Sequence, residues 1–139
     1  MSILKGQIKT SSGDILYPQT SIDKVAGFFG PYYCAAAGTA AVTTSGSETC
    51  AIWTLTNADA PALTNGLTVI FTVPVAGDNE YGVGIKLNSD TTAHPVICDA
   101  ASTVGTRYPN GSAVIATYNS TATGKIYSNG AQQTVTGCW

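Results

Sequence analysis

The stretch LTVIFTVPV, residues 67–75, constrains the fold of this chain most, because large apolar residues alternate along it with other residues. At a period of two, these apolar residues share one face of a strand: Leu67, Val69, Phe71, Val73 and Val75. AIWTLT, VGIKL, PVICDA, AVIATYN and GKIYSNG are further strand candidates, and turn sequences such as PALTNG, YPNGS and SNG lie between them. Helix signals are scarce, because Gly38 and β-branched residues interrupt the one Ala-rich stretch. The pattern predicts an all-β fold, an antiparallel β-sandwich that is jelly-roll-like or Ig-like.

The first 30 residues differ from the rest. ILKGQIKT predicts a strand, SSGD a turn and ILYPQT a second strand, but a two-stranded hairpin is marginal alone in water. We place a boundary near Gly30–Pro31, so that residues 1–30 form a β-hairpin arm and residues 31–139 form the sandwich. An unpaired hairpin edge is a hazard unless another chain adds to it, which predicts a docking role. The candidate docking or subunit-interface residues are Ile3, Ile8, Ile15, Tyr17 and Val25.

Charge argues against nucleic acid as a partner, and hydropathy argues against membrane insertion. Only 10% of the residues are charged, the net charge is −2, and the six basic residues are scattered. Nucleic-acid binding needs a basic patch that neutralises phosphates, so we expect no nucleic-acid partner. No apolar run approaches the roughly 20 residues that span a bilayer, so we expect no membrane insertion. The N-terminus is too short and polar for a signal peptide, which predicts synthesis in a cytoplasm.

No catalytic set is recognisable. His94 is the only histidine and stands without partner motifs, so we interpret it as structural. Most of the acids lie in turn-like stretches, where Asp commonly bonds its own backbone. GDNE, residues 77–80, lacks the remainder of an EF-hand loop. We therefore expect a protein that is not an enzyme and has no cofactor and no metal.

The four cysteines show no metal-binding spacing. We interpret Cys98 and Cys138 as buried thiols, and we leave open a disulfide between Cys34 and Cys50, which lie on neighbouring predicted strands. Reductant-dependent mass would decide between these alternatives.

The aromatic residues divide between core and surface. Trp53 lies on an alternating strand, which predicts a core position, and Trp139 is expected to pin the last strand through a buried ring. Tyr81 and Tyr108 lie next to turns, and these two are the candidate glycan contacts.

From Tyr32 onward, AAAGTAA, LTNGLTVIFTV and KLNSDTTAHPVI follow one another in an order that resembles a β-rich module of tailed-bacteriophage structural proteins. That module occurs in tail fibres, receptor-binding proteins, baseplate proteins and head fibres. His94 stands where the family usually has Lys or another polar residue, and VPVAGDNEYGVG replaces its Asn/Thr-rich loop. The leader SSGDILYPQTSIDKV resembles the stretch that opens many fibre and baseplate-associated chains.

The resemblance implies an N-terminal attachment segment, a β-sandwich and a homotrimer. The expected function is a non-enzymatic virion structural protein, such as a fibre, decoration or baseplate component. Its arm would bind other virion proteins of the capsid, tail or baseplate, and its β-domain would face outward. The alternative is a carbohydrate- or receptor-binding module for a host cell-surface glycan. The expected location is the virion, after synthesis in the bacterial host cytoplasm.

Overall fold

The computed structural model describes residues 30–77, 81–96 and 108–139, and it describes the backbone of residues 8–9 and 15–16 as strands. Every regular element in this part of the chain is a β-strand, so the all-β prediction is confirmed. In chain order the strands are β1 (Ile8–Lys9), β2 (Ile15–Leu16), β3 (Tyr32–Tyr33), β4 (Ala35–Thr39), β5 (Ala51–Thr56), β6 (Thr68–Thr72), β7 (Val83–Leu87), β8 (His94–Pro95), β9 (Ala113–Thr117), β10 (Asn119–Ser128) and β11 (Ala131–Cys138).

The larger sheet has four strands in the order β4-β5-β7-β8. β5 runs antiparallel to β4 and parallel to β7, while β8 runs antiparallel to β7. Because side chains alternate along a strand, β5 places Ala51, Trp53 and Leu55 on one face, where all three are fully buried. Ile52 and Thr54 lie on its other face and are half-buried.

The smaller sheet has three strands in the order β3-β6-β9. The central strand β6 runs parallel to β3 and antiparallel to β9. The apolar face predicted for residues 67–75 is buried as expected, with Val75 half-buried at its end. Alternation along this stretch therefore predicted the inward face correctly.

The inward faces of the two sheets enclose one main apolar core. The Trp53 ring packs edge to face against Phe71 at 5.6 Å and Tyr108 at 5.5 Å between ring centroids. Its Nε1–H donates to the carbonyl oxygen of Val75 at 2.9 Å, which satisfies the polar atom of a fully buried side chain. The predictions of a β-sandwich and of a core position for Trp53 are confirmed.

Each sheet of the sandwich also contains one parallel strand pair. Parallel neighbours need a crossover connection rather than a tight turn. Here the chain passes from β5 into β6 of the opposite sheet and then returns to β7 beside β5. The sheets are therefore mixed, because strands that are not consecutive become neighbours.

The strands β10 and β11 form a long antiparallel hairpin. Asn129 and Gly130 join them with φ angles of 51° and 75°, and positive φ at both central positions is typical of a type I′ turn. Asn tolerates this conformation and Gly has no Cβ to obstruct it. The turn predicted from SNG is confirmed.

The same hairpin packs against the outer face of the four-stranded sheet. The backbone N–H of Cys50 donates to the carbonyl oxygen of Tyr127 at 3.1 Å, and that of Gly130 donates to Glu48 at 2.7 Å. A second, smaller apolar cluster fills the space between the hairpin and the sheet, and its members are Cys50, Ala93, Ile126, Ile52 and Val135. We call this outer face the hairpin-covered face.

The last residue is pinned as predicted. The Trp139 side chain is buried and its ring lies 5.3 Å from the Tyr118 ring, while the backbone N–H of Trp139 donates to the carbonyl oxygen of Pro95 at 2.8 Å. His94 packs edge to face on Tyr118 at 5.3 Å, and its Nδ1–H donates to the carbonyl oxygen of Gly137 at 2.9 Å. His94 is therefore used structurally here, because it ties β8 to the C-terminal strand.

The cysteines differ from the expectation at one position. Cys138 is disulfide-bonded, so its interpretation as a buried thiol was wrong, and the interpretation of Cys98 lies outside the described residues. Cys34 and Cys50 are free. The register of β4 on β5 places them at opposite ends of the strand pair, roughly 20 Å apart along the strand direction, so they cannot bond to each other.

In the leader, β1 and β2 pair antiparallel, with Ile8 opposite Leu16 and Lys9 opposite Ile15. This pairing agrees with the predicted hairpin. The other docking candidates, Ile3, Tyr17 and Val25, and the side chains of Ile8 and Ile15, lie outside the described residues. The boundary near Gly30–Pro31 and the docking role stay predictions.

Candidate functional site

A cavity of about 380 Å³ opens between the β10–β11 hairpin and the hairpin-covered face. Its floor consists of the five residues of the smaller apolar cluster. Its other lining residues are mainly polar, with hydroxyl and amide groups from Thr49, Thr91, Thr92, Ser128 and Gln133. An apolar floor with a few polar groups at its edge is the usual make-up of a small-molecule site.

The floor follows from the alternation of the strands that form it. β5 turns Trp53 into the core, so the preceding Ile52 points to the hairpin. On the hairpin, Ile126 and Gln133 are directly opposite partners and therefore share a face, and Val135 lies two residues further along that face. The same pattern that builds the core thus supplies the floor of the cavity.

Gly84 allows two floor residues, Ala93 and Ile52, to pack closely over its backbone. A Cβ at this position would lie 2.8 Å from the Cβ of Ala93 and 3.2 Å from Cδ1 of Ile52, which is too near for ordinary contact. Any side chain here would push Ala93 or Ile52 away. Gly84 therefore allows the loop after β7 to approach β5 and close one side of the cavity.

Lys86 is the only charged side chain among the described residues that line the cavity. It stands two residues after Gly84 on β7, directly opposite Thr54 of β5, and it is half-buried. Within residues 30–77, 81–96 and 108–139, no hydrogen bond or ion pair engages its ammonium group. A half-buried cation without a counter-charge is well placed to bind an anionic group of a ligand.

Cys50 lies in the floor with its side chain 2% exposed. Burial raises the pKa of its thiol to about 11, although hydrogen bonds involving the backbone of Cys50 and Gly84 act in the opposite direction. The thiol is thus neutral near pH 7 and is a poor nucleophile. Burial also raises the pKa of the Cys34 thiol.

The lining residues that the structure describes include no carboxylate and no imidazole. Within the described ranges, no group of three or more His, Cys, Asp or Glu side chains comes together as a metal site requires. Asp90 accepts a hydrogen bond from the backbone N–H of Leu87 at 3.3 Å, which is the turn role expected for such acids. The described lining offers apolar contacts, hydroxyl and amide hydrogen bonds and one ammonium group, all of which can bind a ligand.

The two candidate glycan contacts lie in different surroundings. Tyr81 packs edge to face against Tyr127, a cavity-lining residue, at 5.1 Å. Tyr108 packs against Trp53, and its backbone pairs with Gly77. The ring of Tyr108 thus packs in the core, whereas the ring of Tyr81 packs against the rim of the cavity. A glycan role for either residue stays a prediction.

Sequence reasoning missed Lys86 and the threonines at positions 91 and 92. One signal was present in VGIKL, where Gly84 and Lys86 share the face opposite to the apolar residues. A glycine and a charge on one face of an otherwise buried strand indicate close approach of another segment and a polar opening.

A second surface feature lies on the outer face of the three-stranded sheet. Tyr33 and Ile115 are 74% and 70% exposed, and the strand register places both directly beside Ile70. The three side chains form a continuous apolar row across the sheet, which we call the open row. On one side of it the Thr68 and Thr117 hydroxyls are hydrogen-bonded at 2.9 Å.

No family model, curated protein or solved structure matches this chain. Within the described ranges, no helix has the length and apolar character needed to cross a bilayer.

Proposed function

We propose that this chain is a non-enzymatic structural component of a tailed-bacteriophage virion, such as a fibre, decoration or baseplate protein. The resemblance of AAAGTAA, LTNGLTVIFTV and KLNSDTTAHPVI to β-modules of such proteins supports the proposal. The confirmed β-sandwich over the same residues agrees with the fold that the resemblance implies.

The observation that carries the proposal is the open row. Strands β3, β6 and β9 contain no charged residue, and their outer face carries only Tyr, Ile, Thr and Ala side chains. Soluble monomers rarely expose large contiguous apolar patches, and larger ones mark interaction sites. An uncharged sheet with an apolar row suits a surface that is covered in an assembly.

The arm supplies the second part of the proposal. Residues 1–30 attach the chain to other virion proteins by strand addition, and the sandwich faces outward. The β1–β2 pairing is compatible with such a role, because each strand of a hairpin has a further edge for another chain.

Incorporation into particles tests this proposal. Deleting residues 1–30 should abolish incorporation while the remaining chain keeps its β-sheet circular dichroism spectrum. Ile115→Lys should lower incorporation or oligomer formation at least tenfold, whereas Ala131→Lys, at the exposed first position of β11, should not. Normal incorporation of the truncated chain would refute the docking role.

A second candidate function is binding of a host cell-surface glycan, and the cavity favours it. Tyr81→Ala should weaken binding to host cells by removing the ring that supports Tyr127 at the cavity. Tyr108→Ala is the less informative variant, because it also removes a ring that packs on Trp53. Unchanged cell binding with Tyr81→Ala, in a folded protein, would leave only the structural role.

A further inference from the structure

We propose that the cavity under the β10–β11 hairpin binds a single saccharide residue that carries one acidic group, and that Lys86 recognises this group. The inference deepens the glycan-binding candidate and rests on it for its biological meaning. It names the ligand class, the site and the residue that selects the ligand.

The size of the cavity limits the ligand to about one ring. Its volume of about 380 Å³ lies at the lower end of the range for small-molecule sites. One side is the apolar floor, and the other is the polar rim. A sugar ring has the same division, because its C–H groups form an apolar face while its hydroxyls surround the ring.

The polar rim matches hydroxyls better than other groups. Hydroxyls of Thr91, Thr92 and Ser128 can both donate and accept hydrogen bonds, and the Gln133 amide can also do both. The Thr49 hydroxyl is already used, because it donates to the Ser47 carbonyl oxygen and accepts from the Asn129 N–H. A ligand with several hydroxyls can satisfy such groups in either direction. The C–H face of the sugar ring can pack on the aliphatic floor and on Tyr127, the aromatic residue of the described lining.

The charge of the cavity selects for one acidic group. Lys86 provides a single positive charge, and no carboxylate among the described lining residues opposes it. Because the side chain is half-buried, its attraction to an anion is screened less than at an exposed site. One cation does not suffice for a polyphosphate, but it suits a uronic acid or a singly phosphorylated sugar.

Lys125 provides a matched control. It lies on β10 of the same hairpin and its ammonium group donates to Oε1 of Gln132 at 3.3 Å, but it does not line the cavity. Replacing Lys86 or Lys125 by Gln changes the net charge of the protein equally. A difference between the two variants therefore reports the position of the charge rather than its total.

The experiment is a titration of the full-length protein followed by amide chemical shifts. Glucuronate, glucose 6-phosphate, glucose and acetate are added separately. We expect saturable shifts at Lys86, Thr91, Thr92 and Ser128, with one of the acidic sugars binding at least fivefold more tightly than glucose. Whichever acidic sugar binds more tightly then shows whether the natural group is a carboxylate or a phosphate.

The variants decide the role of Lys86. Lys86→Gln should reduce the affinity for the acidic sugar to that for glucose, while Lys125→Gln leaves it unchanged. Thr92→Trp, at an exposed rim position, should block both sugars without altering shifts elsewhere. Equal affinity for acidic and neutral sugars, equal effects of the two lysine variants, or the absence of saturable shifts would each overturn the inference.

These outcomes are separate from the virion role. Lys86→Gln should leave particle incorporation unchanged. Incorporation without acidic-sugar binding would refute this inference alone, and acidic-sugar binding by a chain that does not join particles would refute the structural proposal alone.

Discussion

The two sheets of the sandwich have similar inward faces but very different outer faces. The four-stranded sheet is covered by the chain's own β10–β11 hairpin, which leaves a cavity containing Lys86. The three-stranded sheet has no charge in its strands and exposes Tyr33 and Ile115. The outer face of the four-stranded sheet is therefore covered by another segment of the same chain, whereas that of the three-stranded sheet is suited to contact with another molecule.

The largest expected effect on stability comes from the core that the two sheets share. Trp53→Ala should lower the free energy of unfolding by about 3–5 kcal/mol, because it removes a fully buried ring that contacts both sheets. Tyr33→Ala, at a side chain that is 74% exposed, should change it by less than about 0.5 kcal/mol. Urea unfolding followed by circular dichroism measures both, and a small loss for Trp53→Ala would contradict a shared core.

The next effect belongs to the hairpin-covered face and depends on pH. Burial raises the pKa of the Cys50 thiol to about 11 in the folded protein, whereas the thiol of an unfolded chain has a pKa near 9. The stability that this difference contributes is complete below about pH 9 and is lost as the pH rises to 11, a change of about 2–3 kcal/mol.

The difference in unfolding free energy between the natural chain and Cys50→Ala isolates this contribution from other alkaline titrations. That difference should shrink between pH 9 and pH 11. A difference that is constant over this interval would show that the thiol is not held neutral.

Adding side-chain volume should have a smaller effect on stability, and this effect should differ between the two outer faces. Gly84→Val should destabilise the protein by about 1–3 kcal/mol, because the new side chain meets Ala93 and Ile52 under the hairpin. Thr72→Val, at an exposed position of β6, should change stability by less than about 0.5 kcal/mol. Thermal unfolding of the two variants measures the contrast, and equal values would mean that the hairpin does not hold the covered face closed.

The smallest effect on stability is expected in the open row. Ile115→Thr should change the unfolding free energy by less than about 0.5 kcal/mol, since its side chain is 70% exposed. It should nevertheless lower the fraction of oligomer in light scattering or sedimentation, where the resemblance predicts a homotrimer. A trimer that is unaffected by this change would place the subunit interface elsewhere.

Much of the fold could be predicted because its signals are local. Alternation in LTVIFTVPV and AIWTLT identified the buried faces, and SNG identified the tight turn of the last hairpin. The parallel pairing of β5 with β7 could not be predicted, because it depends on the chain crossing to the other sheet between them. The disulfide of Cys138 was missed for a similar reason, since spacing alone does not report which cysteines meet in space.

The candidate site was predicted only in small part. Tyr81 was singled out from its position beside a turn, and it does contact the cavity-lining Tyr127. Lys86 was counted as one of several scattered basic residues, because its surroundings come from strands and loops far apart in the chain. Whether a charge stands alone in a cavity or in solvent is a property of the packed molecule.

The amino-acid sequence by itself determined which side of each main strand faces inward and where the chain turns. These features depend on a period of two and on the backbone preferences of Asn and Gly, which act over a few residues. Only the tertiary structure decided which outer face is covered. The hairpin β10–β11 reaches the four-stranded sheet through contacts distant in sequence, and its position creates the cavity around Lys86 while Tyr33 and Ile115 stay exposed.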